Sequence, residues 1–221
     1  MQKTVLCYGD SNTWGCQPLD GKNPGKLPLR YDENIRWPRL LQKKLGSGFY
    51  VVEEGLNGRT TNLDYHVPPD RNGKTALPVC LYSHAPIDLV ILTLGGNDLK
   101  IYFGRTPEAI RDGMAELIDM VQSSSYGPDM QSPPKVLLAI QGPPMPVAEQ
   151  IPDENGILLF RDSISRAKKL AELYQALAIK KQCGVIDLTD IPPSPIDGLH
   201  LDETGHKKVA ERLASRLPEV I

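Results

Sequence analysis

The chain has 221 residues, of which 40% are hydrophobic, and its formal net charge is −2. This length and composition fit one globular domain spanning residues 1–221. The nearly balanced charge offers no basic surface for nucleic acid, and no apolar stretch approaches membrane-spanning length, so we expect neither nucleic acid nor a membrane as a partner.

The N-terminus and the cysteines favour a cytoplasmic protein. The opening residues, MQKTVLCYGD, contain an apolar run that is too short for a signal peptide. The cysteines lie far apart in the sequence, and no C-x-x-C pair or adjacent histidine completes a zinc pattern. We therefore expect reduced thiols, no metal and no cofactor.

Short apolar runs alternate with helical patterns along the chain. The runs are TVLCYG (4–9), FYVVEEG (49–55), DLVILTLGG (88–96), KVLLAI (135–140) and GVIDL (184–188). They lack strict polar and apolar alternation, which is typical of parallel strands buried on both faces. Helical patterns follow at 36–46, 106–122, 161–180 and 202–217. This order predicts an α/β fold with three layers, α/β/α, around a flavodoxin-like parallel sheet of five strands.

Helix ends and loops can also be located. Gly46 is a helix-stop signal, and Thr106 followed by Pro107 predicts an N-cap and the first helical residue. Segments 123–134 and 141–156 are rich in proline, glycine and serine and are interpreted as loops within the domain. The second is long enough to suggest a role at a site.

Polar residues follow the predicted strands at their carboxyl ends, where open α/β sheets bind ligands. They are Gly9, Asp10 and Ser11 after the first strand, Gly58 and Arg59 after the second, Asn97 and Asp98 after the third, and Asp197 and His200 after the fifth. We expect these residues to meet at one edge of the sheet.

Together they supply the groups that acyl transfer needs. Ser11 would be the nucleophile, His200 the base that removes its proton, and Asp197 the carboxylate that fixes the histidine tautomer. Gly198 and Leu199 let the chain double back so that Asp197 reaches His200.

The same edge offers hydrogen-bond donors for an oxyanion. These donors are the side-chain amide of Asn97 and the backbone N–H groups of Gly58 and Ser11. We expect Asp10 and Asp98 to tie the surrounding loops by accepting backbone hydrogen bonds.

The motifs GDSNTWG, GLNGRTTN, GGND and DGLH resemble the four blocks of the SGNH (GDSL-type) hydrolase family, in family order and across nearly the whole chain. The stretches VVEEGLNGRTTN, LPVCLYSHAPIDLVI and YFGRTP are most similar to its bacterial arylesterase/acyltransferase branch. The resemblance implies the SGNH hydrolase fold. It places the family serine, glycine and asparagine on Ser11, Gly58 and Asn97, and the family Asp and His on Asp197 and His200.

Two positions depart from the family pattern and bear on substrate binding. Asn12 stands where the common motif has leucine, and Gly58 stands where the branch can carry alanine. We expect Asn12 and Trp14 to contact substrate and the QGPPMPV loop to provide apolar walls. The resemblance also implies a homo-oligomer in which neighbouring subunits add walls.

These observations favour a serine esterase that hydrolyses short-chain acyl or aryl esters of small molecules through an acyl-enzyme, with acyl transfer to alcohols as a further activity. Alternatives within the family are a carbohydrate acetyl esterase and a thioesterase or lysophospholipase. Outside it, the alternatives are a metal-dependent phosphoesterase and a non-catalytic binding module.

Some residues keep more than one interpretation. His66, His84 and His206 compete with His200 for the role of base, but none has an acid at a matching spacing after the final strand, and His206 is expected at the surface. Arg59 and Asn62 are expected to anchor the second block or an oligomer contact.

Overall fold

The computed structural model describes residues 2–19, 27–65, 69–153 and 155–221. Its sheet has five parallel strands, as predicted, and their order is β2-β1-β3-β4-β5. The strands are β1 (Lys3–Gly9), β2 (Phe49–Gly55), β3 (Leu89–Thr93), β4 (Lys135–Gln141) and β5 (Gly184–Leu188).

Helices connect the strands. They are α1 (Ser11–Trp14), α2 (Trp37–Leu45), α3 (Gly73–Ser83), α4 (Pro107–Gln122), α5 (Ser163–Lys181) and α6 (Glu203–Val220). Single turns of 3₁₀ helix occur at Gly46–Gly48, Asn97–Leu99, Ile101–Phe103 and Pro146–Gln150.

The helices cover both faces of the sheet, so the predicted three-layer architecture is confirmed. On one face, α3, α4 and α5 pack on a core that includes Leu6, Leu92 and Leu138. On the other face, α2 and α6 pack on Val5, Ile91 and other residues of opposite orientation in the same strands. Because both faces are buried, the strands are apolar throughout and lack alternation.

Strand register brings the first three loops of the site together. Gly9 at the end of β1 pairs with Gly55 of β2 on one side and with Thr93 of β3 on the other. The connection after β1 leads to β2 on one side of β1, and the connection after β2 crosses to β3 on the other side. Such a reversal of direction opens a crevice in doubly wound sheets. Only glycine fits at position 55, because a Cβ there would lie 2.1 Å from the backbone nitrogen of Trp14.

The predicted helix signals are confirmed where they were made. Thr106 Oγ1 accepts a hydrogen bond from the Ala109 N–H at 3.2 Å, and Gly46 ends α2 with a positive φ of 72°. Helix α3 was not predicted, because Gly73 and Pro78 interrupt its helical pattern. It forms because Leu77 and Leu81 are buried against the sheet.

Within the part of the chain that the structure describes, no helix has the length and apolar character needed to cross a membrane.

Candidate active site

Ser11 is the first residue of α1, at the point where the chain leaves β1. Asp10 caps this short helix by accepting a hydrogen bond from the Asn12 N–H at 3.0 Å. The backbone N–H groups of Thr13 and Trp14 donate to the Asp10 carbonyl at 3.1 and 3.0 Å. The loop-tying role predicted for Asp10 is confirmed, and its effect is to fix the position of Ser11.

His200 lies in the loop between β5 and α6, beside Ser11. Its Nε2 is 3.0 Å from Ser11 Oγ, and its Nδ1 is 2.6 Å from Asp197 Oδ2. Asp197 Oδ1 also accepts the His200 backbone N–H at 3.0 Å, so the carboxylate holds both the ring and its backbone. Gly198 makes the turn between them with a φ of 70°, in the left-handed region that favours glycine.

His200 and Asp197 shift each other's pKa. Burial disfavours the charged form of His200, but its hydrogen bond to Asp197 outweighs burial and raises the pKa of the imidazole. Burial opposes ionisation of Asp197 as well, but the His200 hydrogen bond prevails and lowers the pKa of the carboxyl. Asp197 is therefore ionised, and the short contact assigns the shared proton to Nδ1, which leaves Nε2 facing Ser11.

Asn97 and Gly58 lie on the same cavity as Ser11 and His200. Asn97 Nδ2 donates one hydrogen bond to the Arg59 carbonyl at 3.2 Å, which orients its amide and leaves a second N–H for another acceptor. Gly58 is held at a φ of 81°, in the left-handed region.

Arg59 anchors the second block and is not a surface contact. Its buried guanidinium donates to the Gly9 carbonyl at 2.9 Å and to the Glu54 carbonyl, and it lies 4.1 Å from the centroid of the Tyr8 ring. Arg59 therefore ties the loop of Gly58 to the strand that delivers Ser11. Asn62 donates to Glu116 on α4 at 3.2 Å, which also anchors the second block.

Asp98 ties the third block to the second, as predicted. Its buried carboxylate accepts from the Thr61 N–H at 3.0 Å and from Arg105 at 2.7 Å. Burial raises the pKa of Asp98, and the hydrogen bonds from Thr61 and Arg105 offset only part of this effect.

Asn12 lines the cavity, as expected, and it also binds the loop that carries His200. Its Nδ2 donates to the Leu199 carbonyl at 3.2 Å, and its Oδ1 accepts from the Leu201 N–H at 2.9 Å. Gln141, at the end of β4, donates to Asp10 at 3.2 Å and lines the same cavity. Gln141 was not predicted as a site residue, although its place after the fourth apolar run was a usable signal.

Trp14 lies elsewhere than expected. It is not among the described residues that line the cavity. The Arg30 guanidinium lies 5.1 Å from the centroid of its ring, and Arg30 Nε donates to the Trp14 carbonyl at 2.7 Å. Arg30 thus stacks on the ring of Trp14, and the cavity lining gives no support to the predicted substrate contact at Trp14.

The cavity has a volume of about 370 Å³. Ser11, Asn97 and His200 line it, and the rest of its lining is mainly apolar: Leu94, Leu99, Ile140, Pro144, Ala148, Ile151, Leu159, Phe160 and Leu170. Pro144 belongs to the QGPPMPV loop, and further residues of segment 141–156 join the walls, as the sequence analysis expects.

The competing histidines have other environments. His84 Nε2 pairs with Glu54 Oε1 at 2.8 Å, away from the cavity, and His66 lies outside the described residues. His206 is fully buried, which corrects the expected surface position. It faces inward because its Nδ1 accepts the Trp37 N–H at 3.3 Å and its ring packs edge-on against Tyr31.

Among the described residues, no group of three histidine, cysteine, aspartate or glutamate side chains is arranged to hold a metal ion. The cysteines are free thiols, and Cys7, Cys16 and Cys80 are buried.

Comparison with known proteins gives concordant matches. Residues 7–208 match the family model described as the GDSL-like lipase/acylhydrolase family. An acetylxylan esterase from Xylanibacter ruminicola is 25% identical over 96% of this chain. The chain spans only 42% of the length of that relative.

Solved structures match over full length. An aryl esterase from M. smegmatis is 35% identical with a TM-score of 0.89, over 99% of this chain and 100% of that one. A carbohydrate acetylesterase from Sinorhizobium meliloti is 36% identical with a TM-score of 0.90, over 100% of both chains.

Proposed function

The chain belongs to the GDSL-like lipase/acylhydrolase family, and we propose that it is a serine esterase that cleaves short-chain acyl or aryl esters through an acyl-enzyme. The observation that carries this proposal is the line of contacts from Asp197 through His200 to Ser11, 2.6 and 3.0 Å long, beside a mainly apolar cavity that Ser11 and His200 line.

The proposed chemistry begins with Ser11. As its Oγ attacks the ester carbonyl carbon, His200 Nε2 takes the hydroxyl proton, and the ionised Asp197 stabilises the imidazolium. The tetrahedral intermediate collapses when the protonated His200 gives its proton to the leaving alcohol. Water then repeats the sequence on the acyl-enzyme and releases the acid.

The negative charge that develops on the carbonyl oxygen needs donors that are already in place. We assign this role to the backbone N–H groups of Ser11 and Gly58 and to the Asn97 amide. Two features support the assignment: these residues share the cavity, and the Arg59 carbonyl orients the amide of Asn97.

The substrate range follows from the cavity. A space of about 370 Å³ with mainly apolar walls suits an acetyl to butyryl group or an aromatic alcohol. The similarity to an aryl esterase supports aryl esters. The similarity to an acetylxylan esterase and a carbohydrate acetylesterase favours a carbohydrate acetyl esterase as the second candidate.

A substrate series tests the proposal. Rates are compared for 4-nitrophenyl acetate, butyrate and octanoate, and acetate release is followed from acetylated xylose and xylan. We expect the short aryl esters to be cleaved, octanoate to be poor, and EDTA to have no effect. Ser11→Ala, which should keep the fold, measures the background rate of ester hydrolysis. An activity abolished by EDTA and unaffected by Ser11→Ala would overturn the proposal.

We further propose that the enzyme is a homo-oligomer that transfers acyl groups to alcohols. Leu19 and Pro28 line the cavity, and Leu27 and Leu29, next to Pro28 in the chain, are 90% and 68% exposed. A second copy packed on these side chains would exclude water and favour an apolar alcohol over hydrolysis.

The transfer proposal is tested with vinyl acetate and benzyl alcohol in buffer. We expect benzyl acetate to form faster than acetate, and the mass in solution to be a multiple of 24.4 kDa. A monomer that yields only acetate would remove the transferase part and leave the esterase proposal standing. The cytoplasmic location stays a prediction, which fractionation of the native cells would test.

A further inference from the structure

Lys100 contributes the one lysine or arginine side chain among the described residues that line the cavity. It follows the third block, and its backbone N–H donates to the Asn97 carbonyl at 3.2 Å. This bond places Lys100 on the cavity wall next to the proposed oxyanion donor.

The ammonium group of Lys100 has few partners for a charge that is partly buried. Its Nζ donates to Tyr65 Oη at 2.9 Å, and it lies 5.0 and 5.9 Å from the ring centroids of Tyr65 and Phe160. Of the two carboxylates that attract it, Asp98 pairs with Arg105 and Asp10 caps α1, and neither forms an ion pair with Lys100 in the described part of the chain. An ammonium has three donors, so Tyr65 satisfies only part of its capacity.

The pKa of Lys100 reflects its surroundings. Burial lowers the pKa of Lys100 to about 8, and attraction from Asp10 and Asp98 offsets only part of the effect, while Arg71 adds to it. A buried charge without an ionic partner is costly, and a charge-assisted hydrogen bond to an anion would reduce the cost.

We propose that Lys100 determines specificity by binding a carboxylate carried by the ester, so that the preferred substrates are anionic esters. The inference rests on the proposed esterase function. The carboxylate belongs to the acyl group or to the alcohol, and both fit the same chemistry because both lie in the cavity during attack. A carbohydrate hydroxyl could also accept from Lys100 but would gain much less than an anion.

A purely structural role for Lys100 predicts something different. If the side chain only packs on Tyr65 and Phe160, its removal should slow all esters alike or destabilise the fold. If it binds an anion, its removal should change the ratio of anionic to neutral substrates.

Two matched substrate pairs distinguish these cases and the two locations of the carboxylate. The alcohol pair is 4-acetoxybenzoate and 4-acetoxybenzamide, and the acyl pair is mono-4-nitrophenyl glutarate and its terminal amide. We expect the wild type to prefer the anionic member of at least one pair by kcat/KM. Lys100→Met should reduce that preference about 10- to 100-fold, and Lys100→Arg should keep most of it. Lys180→Met, at an exposed position on α5, is the matched control and should change nothing.

A binding measurement keeps the test independent of turnover. Calorimetry with 4-hydroxybenzoate and glutarate is performed on Ser11→Ala and on Ser11→Ala combined with Lys100→Met, each checked for its thermal midpoint. We expect one of the two carboxylates to bind the first protein and to bind the second at least tenfold more weakly.

Each result decides the inference separately from the esterase function. Neutral esters cleaved with no preference for anions in either pair, or an unchanged ratio in a folded Lys100→Met protein, would overturn the role of Lys100 while the esterase stands. If no ester is hydrolysed but a carboxylate binds in a manner that depends on Lys100, the esterase proposal is overturned and the proposed anion-binding role of Lys100 stands.

Discussion

Asn12, next to the proposed nucleophile Ser11, holds the backbone on both sides of His200. Its amide donates to the Leu199 carbonyl at 3.2 Å and accepts from the Leu201 N–H at 2.9 Å. These two bonds join the helix that starts at Ser11 directly to the loop that carries His200. The distance between Ser11 and His200 therefore depends on Asn12, which stands where the common family motif has leucine. This coupling gives Asn12 a positioning role in addition to its place on the cavity.

We predict that Asn12→Ala lowers kcat by about 10- to 100-fold and leaves KM nearly unchanged, since two hydrogen bonds worth about 1 kcal/mol each are lost from the loop of His200. Steady-state kinetics on 4-nitrophenyl acetate measure this. Asn155→Ala, at an exposed asparagine, serves as the control. An effect confined to KM would show that Asn12 binds substrate and does not position His200.

Replacement of Asn97 tests the oxyanion assignment. Loss of one donor typically removes about 2.7–4 kcal/mol of transition-state stabilisation, so Asn97→Ala should reduce kcat by about 10²–10³. KM should move little, because the interaction strengthens only in the transition state. If kcat is retained and KM rises, Asn97 is a substrate-binding residue.

The pH profile reports the pair of Asp197 and His200. A raised pKa means that His200 holds its proton to higher pH, so the basic form needed for attack appears only above the ordinary imidazole value of about 6.5. We expect kcat/KM to rise with pH with its inflection above that value. Asp197→Asn should move the inflection down and reduce the rate by up to about 10⁴. An inflection that Asp197→Asn does not move would contradict the pairing.

His206 should make the fold sensitive to acid. Burial lowers its pKa to about 4, whereas the unfolded imidazole takes up a proton near 6.5. Between these values the unfolded state binds more protons, so stability falls as pH falls through this window and is unaffected above it. From pH 7.5 to 4.5 the loss due to His206 should be about 2–3 kcal/mol.

Urea unfolding at both pH values measures the loss. His206→Asn cannot be protonated, and its Oδ1 stands where Nδ1 does, so that it can still accept from the Trp37 N–H. On acidification from pH 7.5 to 4.5, the free energy of unfolding of this variant should fall by about 2–3 kcal/mol less than that of the wild type. Equal losses in the variant and the wild type would show that His206 does not titrate in this way.

The strands and most helices were predictable because their apolar pattern and caps are local in sequence. The Thr106 and Pro107 start of α4 and the Gly46 end of α2 depend on side chains within one turn. Helix α3 was not predictable from the same rules, because its stability comes from burial of Leu77 and Leu81 against the sheet, which outweighs the cost of Pro78.

The meeting of Ser11, Asp197 and His200 was predictable because parallel strands end at one edge. The contacts made by residues around these three were less predictable. The bond between Asn12 and the His200 loop spans most of the chain, and the inward position of His206 depends on its partners Trp37 and Tyr31. Such contacts leave no periodic signal in the sequence. Lys100 was missed for the same reason, since its environment is built by Tyr65 and Phe160 from distant segments.

The most direct test of the whole account is covalent labelling of the nucleophile. The wild type is incubated with a fluorophosphonate, and intact mass, peptide mapping and residual esterase activity are followed together. We predict one adduct on Ser11 that forms at the rate at which activity disappears, the same adduct in Ser215→Ala, and neither adduct nor hydrolysis in a folded Ser11→Ala protein. An adduct on another residue, or a Ser11→Ala protein that hydrolyses 4-nitrophenyl acetate at the wild-type rate, would contradict the account.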